Sequence, residues 1–216
     1  MRYTGHHITI APLDLPAQDV IADDGTHMHA QVDPSTGLLM AGERINVPAG
    51  LVLGVGDRST ARLMVGSRVL VQRTLRQNAM TIDTEHGPIA VERVPTVESC
   101  IGCGRDMPRD SIIAVIRRDG SYQATGARLI AKVDPPEEQR GGILLVEQSR
   151  ETLTGRVVSV GGDTQGVMVG ARVVWTNGSG AYWRHDGVEY SSQRMDRACT
   201  CGRVRHGSVL GVARGE

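Results

Sequence analysis

Apolar and polar positions alternate in short runs along this chain. Met28, Ala30 and Val32 fall on one side of one run, and Leu129, Ala131 and Val133 on one side of another. Val69 with Val71, and Val173 with Trp175, do the same. A period of two marks half-buried strands, because successive side chains of a strand point to opposite faces. No stretch sustains a 3.6-residue period, so the pattern predicts an all-β chain with little helix. Turn chemistry separates the runs, at Gly54-Val55-Gly56-Asp57, Gly161-Gly162-Asp163 and Asn177-Gly178-Ser179-Gly180.

The pattern occurs twice. His29-Ala30-Gln31-Val32-Asp33-Pro34 returns as Ile130-Ala131-Lys132-Val133-Asp134-Pro135. Gly50 to Gly56 returns as Gly155 to Gly161, Val65 to Val71 as Val169 to Trp175, and Ser111 to Ile116 as Ser208 to Ala213. Four matches in one order, each roughly a hundred residues on, describe a domain repeat and not a solenoid unit of ~20–50 residues. The expected division is a first domain over 1–118, with an extension over 1–25 that has no counterpart, and a second over 126–216. An alternative alignment starts the first domain at Ile8-Thr9-Ile10-Ala11-Pro12-Leu13. Arg117 to Gly126, polar and glycine-bearing, reads as the linker. The architecture this predicts is two small, mostly antiparallel β-barrels.

Composition narrows the function classes. The 216 residues suit two domains of ordinary size. A formal net charge of +0 gives no electrostatic case for nucleic acid or an anionic membrane. No apolar run approaches the ~20 residues of a transmembrane helix, and Met1 to His7 has no signal-peptide core, so a cytoplasmic protein is expected.

Residues 139–145 read Gln-Arg-Gly-Gly-Ile-Leu-Leu. A charged, proline-led approach runs into two glycines and three aliphatic side chains. Glycines free the backbone there, and a short apolar knob on a flexible arm suits docking. The loop lies between the strand-like runs Leu129 to Val133 and Gly155 to Gly161. It is followed by Val167 to Trp175 and a closing run, Ser208 to Ala213. That order resembles the GroES family of co-chaperonins, whose mobile loop carries a Gly-Gly-aliphatic motif. The resemblance covers Ala127 to Arg214. Ala171 and Ser67 stand where the family usually has Asp. Ser179 stands at a turn tip where an aromatic is common, with Tyr182 and Trp183 close by to replace it. The first half keeps the strands with a shorter loop, Asp33 to Met40.

The resemblance implies two tandem GroES-like small β-barrels in a homo-oligomeric ring. Such a ring caps a GroEL-like chaperonin to assist protein folding. The contacts would come from Gly141, Gly142, Ile143, Leu144 and Leu145, and from Leu38, Leu39 and Met40 of the first repeat. It implies no catalytic residue and no required cofactor, and a cytoplasmic location (the host cytoplasm if the protein is viral). A non-enzymatic structural protein reusing the barrel, for instance in a viral particle, is the alternative. Medium-chain dehydrogenases also carry a GroES-like domain with cysteine-bound zinc, but their α/β nucleotide domain has no room here.

Cys100-Ile101-Gly102-Cys103-Gly104 precedes the last strand of the first repeat, and Cys199-Thr200-Cys201-Gly202 that of the second. Two close cysteine pairs can make one four-thiolate zinc site, with His206 a further candidate ligand. Reduced thiols without a role and a redox-labile pair are the alternatives. The resemblance does not supply this site. The other histidines, His6, His7, His27, His29, His86 and His185, form no metal-binding or catalytic spacing, and neither a P-loop nor a Gly-x-Ser-x-Gly motif occurs.

Overall fold

A computed structural model describes residues 5–13, 19–21, 27–29, 49–59, 63–72, 79–84, 87–109, 111–135, 139–140, 143–144, 152–176 and 179–213. The first half holds β1 (His7–Leu13), β2 (Asp19–Ile21), β3 (His27–His29), β4 (Ala49–Val55), β5 (Arg68–Val71), β6 (Ala79–Thr84), β7 (Gly87–Pro95), β8 (Val97–Ser99), β9 (Asp106–Pro108), β10 (Ile112–Ile116) and β11 (Tyr122–Ala124). The second holds β12 (Arg128–Val133), β13 (Gln139–Arg140), β14 (Ile143–Leu144), β15 (Thr152–Val160), β16 (Arg172–Thr176), β17 (Ala181–His185), β18 (Val188–Arg194), β19 (Arg197–Ala198), β20 (Val204–Arg205) and β21 (Val209–Ala213). Among the described residues the chain is all-β, without a helix, and every strand pair is antiparallel. No helix there is long and apolar enough to cross a membrane.

Two large sheets dominate, in the orders β11-β10-β5-β4-β1-β7-β6 and β17-β18-β12-β15-β16-β21. Apart from β11, which has no counterpart in the second sheet, their pairing is the same strand for strand. Ile8 faces Val55 as Leu129 faces Val160, and Pro12 faces Gly50 as Val133 faces Gly155. Each ladder shifts register at one equivalent step, Thr9/Ile10 and Ile130/Ala131. The β5–β10 and β16–β21 ladders also match, with Ile113 and Leu210 as the unpaired extra residues. Identical bulges in two ladders are a stronger sign of a repeat than shared apolar patterning, because a bulge displaces every later pair by one residue.

The structure corrects the strand assignment and the linker. The counterpart of β12 is β1, not the run from His29 to Pro34: β1 pairs with β4 and β7 as β12 pairs with β15 and β18. The alternative start at Ile8 is therefore the one the pairing follows. His29 ends β3, which pairs only with β2 among the described residues, and 30–34 lie outside them. Arg117 to Gly126 is also more than a linker. It turns at Gly120 (φ +80°) and then forms β11 on the edge of the first sheet, paired with β10. Its polar sequence fitted an exposed hairpin as well as a tether.

Each half has its own apolar cluster. Ile8, Val52, Val69 and Val71 anchor the first, and Leu129, Val157, Val173 and Trp175 the second. The second is aromatic: the buried Trp175 indole donates to the Tyr182 hydroxyl at 2.9 Å. It also needs a glycine, since a Cβ at Gly155 would lie 2.4 Å from the Lys132 carbonyl oxygen and 2.8 Å from the Trp175 ring. A third cluster joins the halves. Leu70, Ile113 and Ala114 on the outer face of β5 and β10 pack on Ile130 of β12 and Ala181 and Trp183 of β17. Tyr182 and Trp183 are thus core residues and do not replace an aromatic at the turn tip.

Candidate metal centre

The hairpins β8–β9 and β19–β20 each end in a cysteine knuckle. In the first, the Cys100 N–H donates to the Arg105 carbonyl at 2.8 Å and the Gly104 N–H to the Cys100 carbonyl at 2.8 Å. The second repeats this with Cys199 to Arg203 at 2.7 Å and Gly202 to Cys199 at 2.9 Å. Gly104 (φ +69°) and Gly202 (φ +85°) close the turns in the left-handed region that glycine tolerates. The sequence Cys-x-x-Cys-Gly and its shorter relative Cys-x-Cys-Gly thus fold the same way locally.

The fold brings the two knuckles together. The four sulfur atoms of Cys100, Cys103, Cys199 and Cys201 all lie within 4.8 Å of one another. Two close separations cross between the repeats, Cys100 to Cys201 at 3.8 Å and Cys103 to Cys199 at 3.7 Å. A tetrahedral ion with metal–sulfur bonds of ~2.3 Å needs sulfur–sulfur edges of about 3.8 Å. The site therefore has nearly the size the ion requires. Cys100 and Cys199 are buried, while Cys103 and Cys201 are exposed. His206 is not among the clustered ligands; its Nδ1 lies 3.7 Å from Asp196.

The backbone tunes the thiols. The Gly102 N–H, seconded by that of Cys103, holds Cys100 below the usual thiol range. The Cys201 N–H does the same for Cys199, together with the Cys201 side chain, and lowers it to about 6. At Cys103 the Arg105 N–H pulls down, but desolvation and the neighbouring sulfurs outweigh it and push the thiol up to about 12. Opposite shifts in adjoining sulfurs are what a shared negative site produces: the first thiolate makes the next harder to form. A divalent cation removes that conflict.

Arginines surround the centre. Arg205 pairs with Glu98 across the repeats, Arg105 reaches Thr200 Oγ1 at 3.5 Å, and Arg197 donates to the Pro108 carbonyl at 3.1 Å. The Arg203 side chain lies over Gly102, where a Cβ would come within 2.6 Å of it. Sequence reading missed these contacts, and the equivalent placement of the cysteine pairs in the two repeats was the signal that the hairpins would meet.

The docking-loop residues fare differently. β13 and β14 pair as Gln139 with Leu144 and Arg140 with Ile143, a two-stranded unit separate from both large sheets, with Gly141-Gly142 between the strands in sequence. Gly141, Gly142 and Leu145 lie outside the described residues, as do Leu38, Leu39 and Met40. A scan against protein-family models finds no match for this chain, and neither does a search of the curated proteins.

Proposed function

We propose that this chain is a non-enzymatic, ring-forming co-chaperonin built from two GroES-like barrels. The observation that carries the reading is the head-to-tail nature of the junction between the halves. The outer face of β5 and β10 in the first half meets the outer face of β12 and β17 in the second. The same face of the second half, on β16 and β21, is more open: Ile113 is fully buried, and its counterpart Leu210 is 63% exposed. Similarly, β11 completes the edge of β10, whereas among the described residues β21 pairs only with β16. Residues 1–4 stand before β1 as residues 122–125 stand before β12, and Thr4-Gly5 repeats Thr125-Gly126. A contact between unlike faces propagates from copy to copy and closes into a ring when the rotation allows.

The Gly-Gly-Ile-Leu-Leu segment supplies the docking arm. Each buried aliphatic side chain contributes about 1.5–3 kcal/mol, and ordering a loop costs roughly 1–2 kcal/mol per residue. One arm binds weakly, and several arms on one ring bind together. Native mass measurement tests the ring: Leu210→Asp should leave folded single chains where the parent forms a closed oligomer. Capture on a GroEL-type chaperonin with ATP tests the arm, and Leu144→Asp should abolish it without unfolding the chain. A Leu144→Asp protein that unfolds, or that still binds as the parent does, rejects the assignment.

The four cysteines, on this reading, hold one structural zinc ion. Four thiolates at tetrahedral spacing suit zinc. Elemental analysis should find one zinc per chain, and a metal-free protein with four titratable thiols removes the ion. The centre also favours the alternative, a structural component of a larger assembly, because the co-chaperonin family does not require metal. Rings that form but never bind a chaperonin, with or without ATP, select that alternative.

A further inference from the structure

We propose that the four-cysteine centre is a redox-opened clasp, in which a hydroperoxide expels the metal and leaves two disulfides across the repeats, Cys100–Cys201 and Cys103–Cys199. The inference rests on the zinc reading above and is independent of the chaperonin reading.

Three observations carry it. First, the hairpins lie outside the apolar cores of both repeats. Residues 97–109 and 197–206 contribute no side chain to any of the three apolar clusters, and Ile101 at the tip of the first knuckle is 97% exposed. Sulfur and arginine contacts are what join them. Second, each repeat contributes one exposed cysteine, Cys103 and Cys201, which opens both halves of the centre to a small oxidant. Third, two sulfur pairs already approach across the repeats, at 3.8 and 3.7 Å. A disulfide bond of ~2.05 Å then requires a closing movement of less than about 2 Å for each pair. Hairpins without a core beneath them can make that movement.

The chemistry balances. A thiolate attacks the hydroperoxide, the O–O bond breaks, and the products are a sulfenic acid and an alkoxide or hydroxide that takes up a proton. The facing thiolate of the other repeat displaces hydroxide from the sulfenic sulfur and forms the disulfide. Each pair of thiolates gives up two electrons to one hydroperoxide as it becomes a disulfide. Two hydroperoxides therefore consume four thiolates, and the metal leaves because no ligand remains. The repeats stay tied throughout, first by the ion and then by sulfur.

The test uses the full chain loaded with zinc. Hydrogen peroxide is titrated in, released zinc is read with a chromogenic chelator, thiols are counted, and disulfides are located by peptide mass mapping. One zinc should be released for every four thiols lost, with cross-repeat peptides as the main product, and dithiothreitol followed by zinc should restore the starting state. In Cys201→Ser the only disulfide should be Cys103–Cys199. Zinc retained under excess peroxide overturns the proposal, as do disulfides confined within each knuckle. A chain that holds no zinc before peroxide is added overturns the metal reading beneath it. None of these outcomes changes capture on a chaperonin, so the two readings fail separately.

Discussion

Among the described residues the two repeats touch at an apolar contact and at the cysteine hairpins, and the two contacts are made of different materials. At one, Leu70, Ile113 and Ala114 bury against Ile130, Ala181 and Trp183. Polar groups seal its margin: Gln72 Oε1 accepts from Arg128 and from Arg194 of the second repeat, each at 2.5 Å, and Ser159 Oγ accepts from the Ala124 N–H at 2.9 Å. At the other, four sulfurs and a set of arginines meet outside every apolar cluster. Burial is non-directional and proportional to area, so the first contact sets how the two sheets lie. Coordination is directional and needs only four atoms, so the second can fix two hairpins that have no core. If the proposed ion is bound, the sheets' arrangement should therefore survive its loss, whereas the knuckles should not.

The largest effect expected from breaking this difference is at the apolar contact. Trp183→Ala removes a buried ring shared by both repeats, and the loss should be about 3–5 kcal/mol of unfolding free energy. Urea denaturation measures it; a loss below about 1 kcal/mol would mean that the halves do not depend on this contact.

Gln72→Met comes next. It keeps the volume but withdraws the acceptor facing two guanidinium groups, and hydrogen bonds to charged groups contribute roughly 1.5–3 kcal/mol. The change should lower stability by that order, and Gln72→Glu should recover part of the loss.

Stripping metal with a chelator should have little effect on the same urea transition, within about 0.5 kcal/mol if the knuckles behave as surface. Hydrogen exchange should instead rise in residues 97–109 and 197–206. Loss of protection in β5, β10, β12 or β17 would show that the clasp also supports the apolar contact.

The smallest effect is chemical. In metal-free protein, Cys199 is lowered to about 6, so it is a thiolate above that pH and a thiol below it. Alkylation of Cys199 should rise through pH 6 and level off before neutrality. Cys103, pushed up to about 12, should be the slowest of the four at neutral pH although it is exposed. Equal rates for the four would remove the backbone N–H groups as the cause.

The strand pattern was legible because period-two alternation is local. Val69 and Val71 point into the first core and Val173 and Trp175 into the second, as their spacing predicts. The same alternation misleads where a sheet is covered on both faces. Leu70 and Ile130 sit on outer faces and are nevertheless buried, because the other repeat covers them. The partner of β12 was misassigned for a related reason. The run from His29 to Pro34 resembles Ile130 to Pro135 by residue type, but hydrogen-bonded register gives that position to β1. Of the metal centre, the sequence showed two matched cysteine pairs but not that they meet.

The sequence by itself determined the all-β class, the repeat and the equivalence of the two cysteine pairs. Each follows from residues close in the chain or from comparing one segment with another. Only the tertiary structure decided which faces join, that the contact runs head to tail, that Leu210 is exposed where Ile113 is buried, and that four sulfurs about a hundred residues apart come within bonding range of one ion. Those outcomes depend on how one sheet packs across another, and packing between distant segments leaves no period in a single chain.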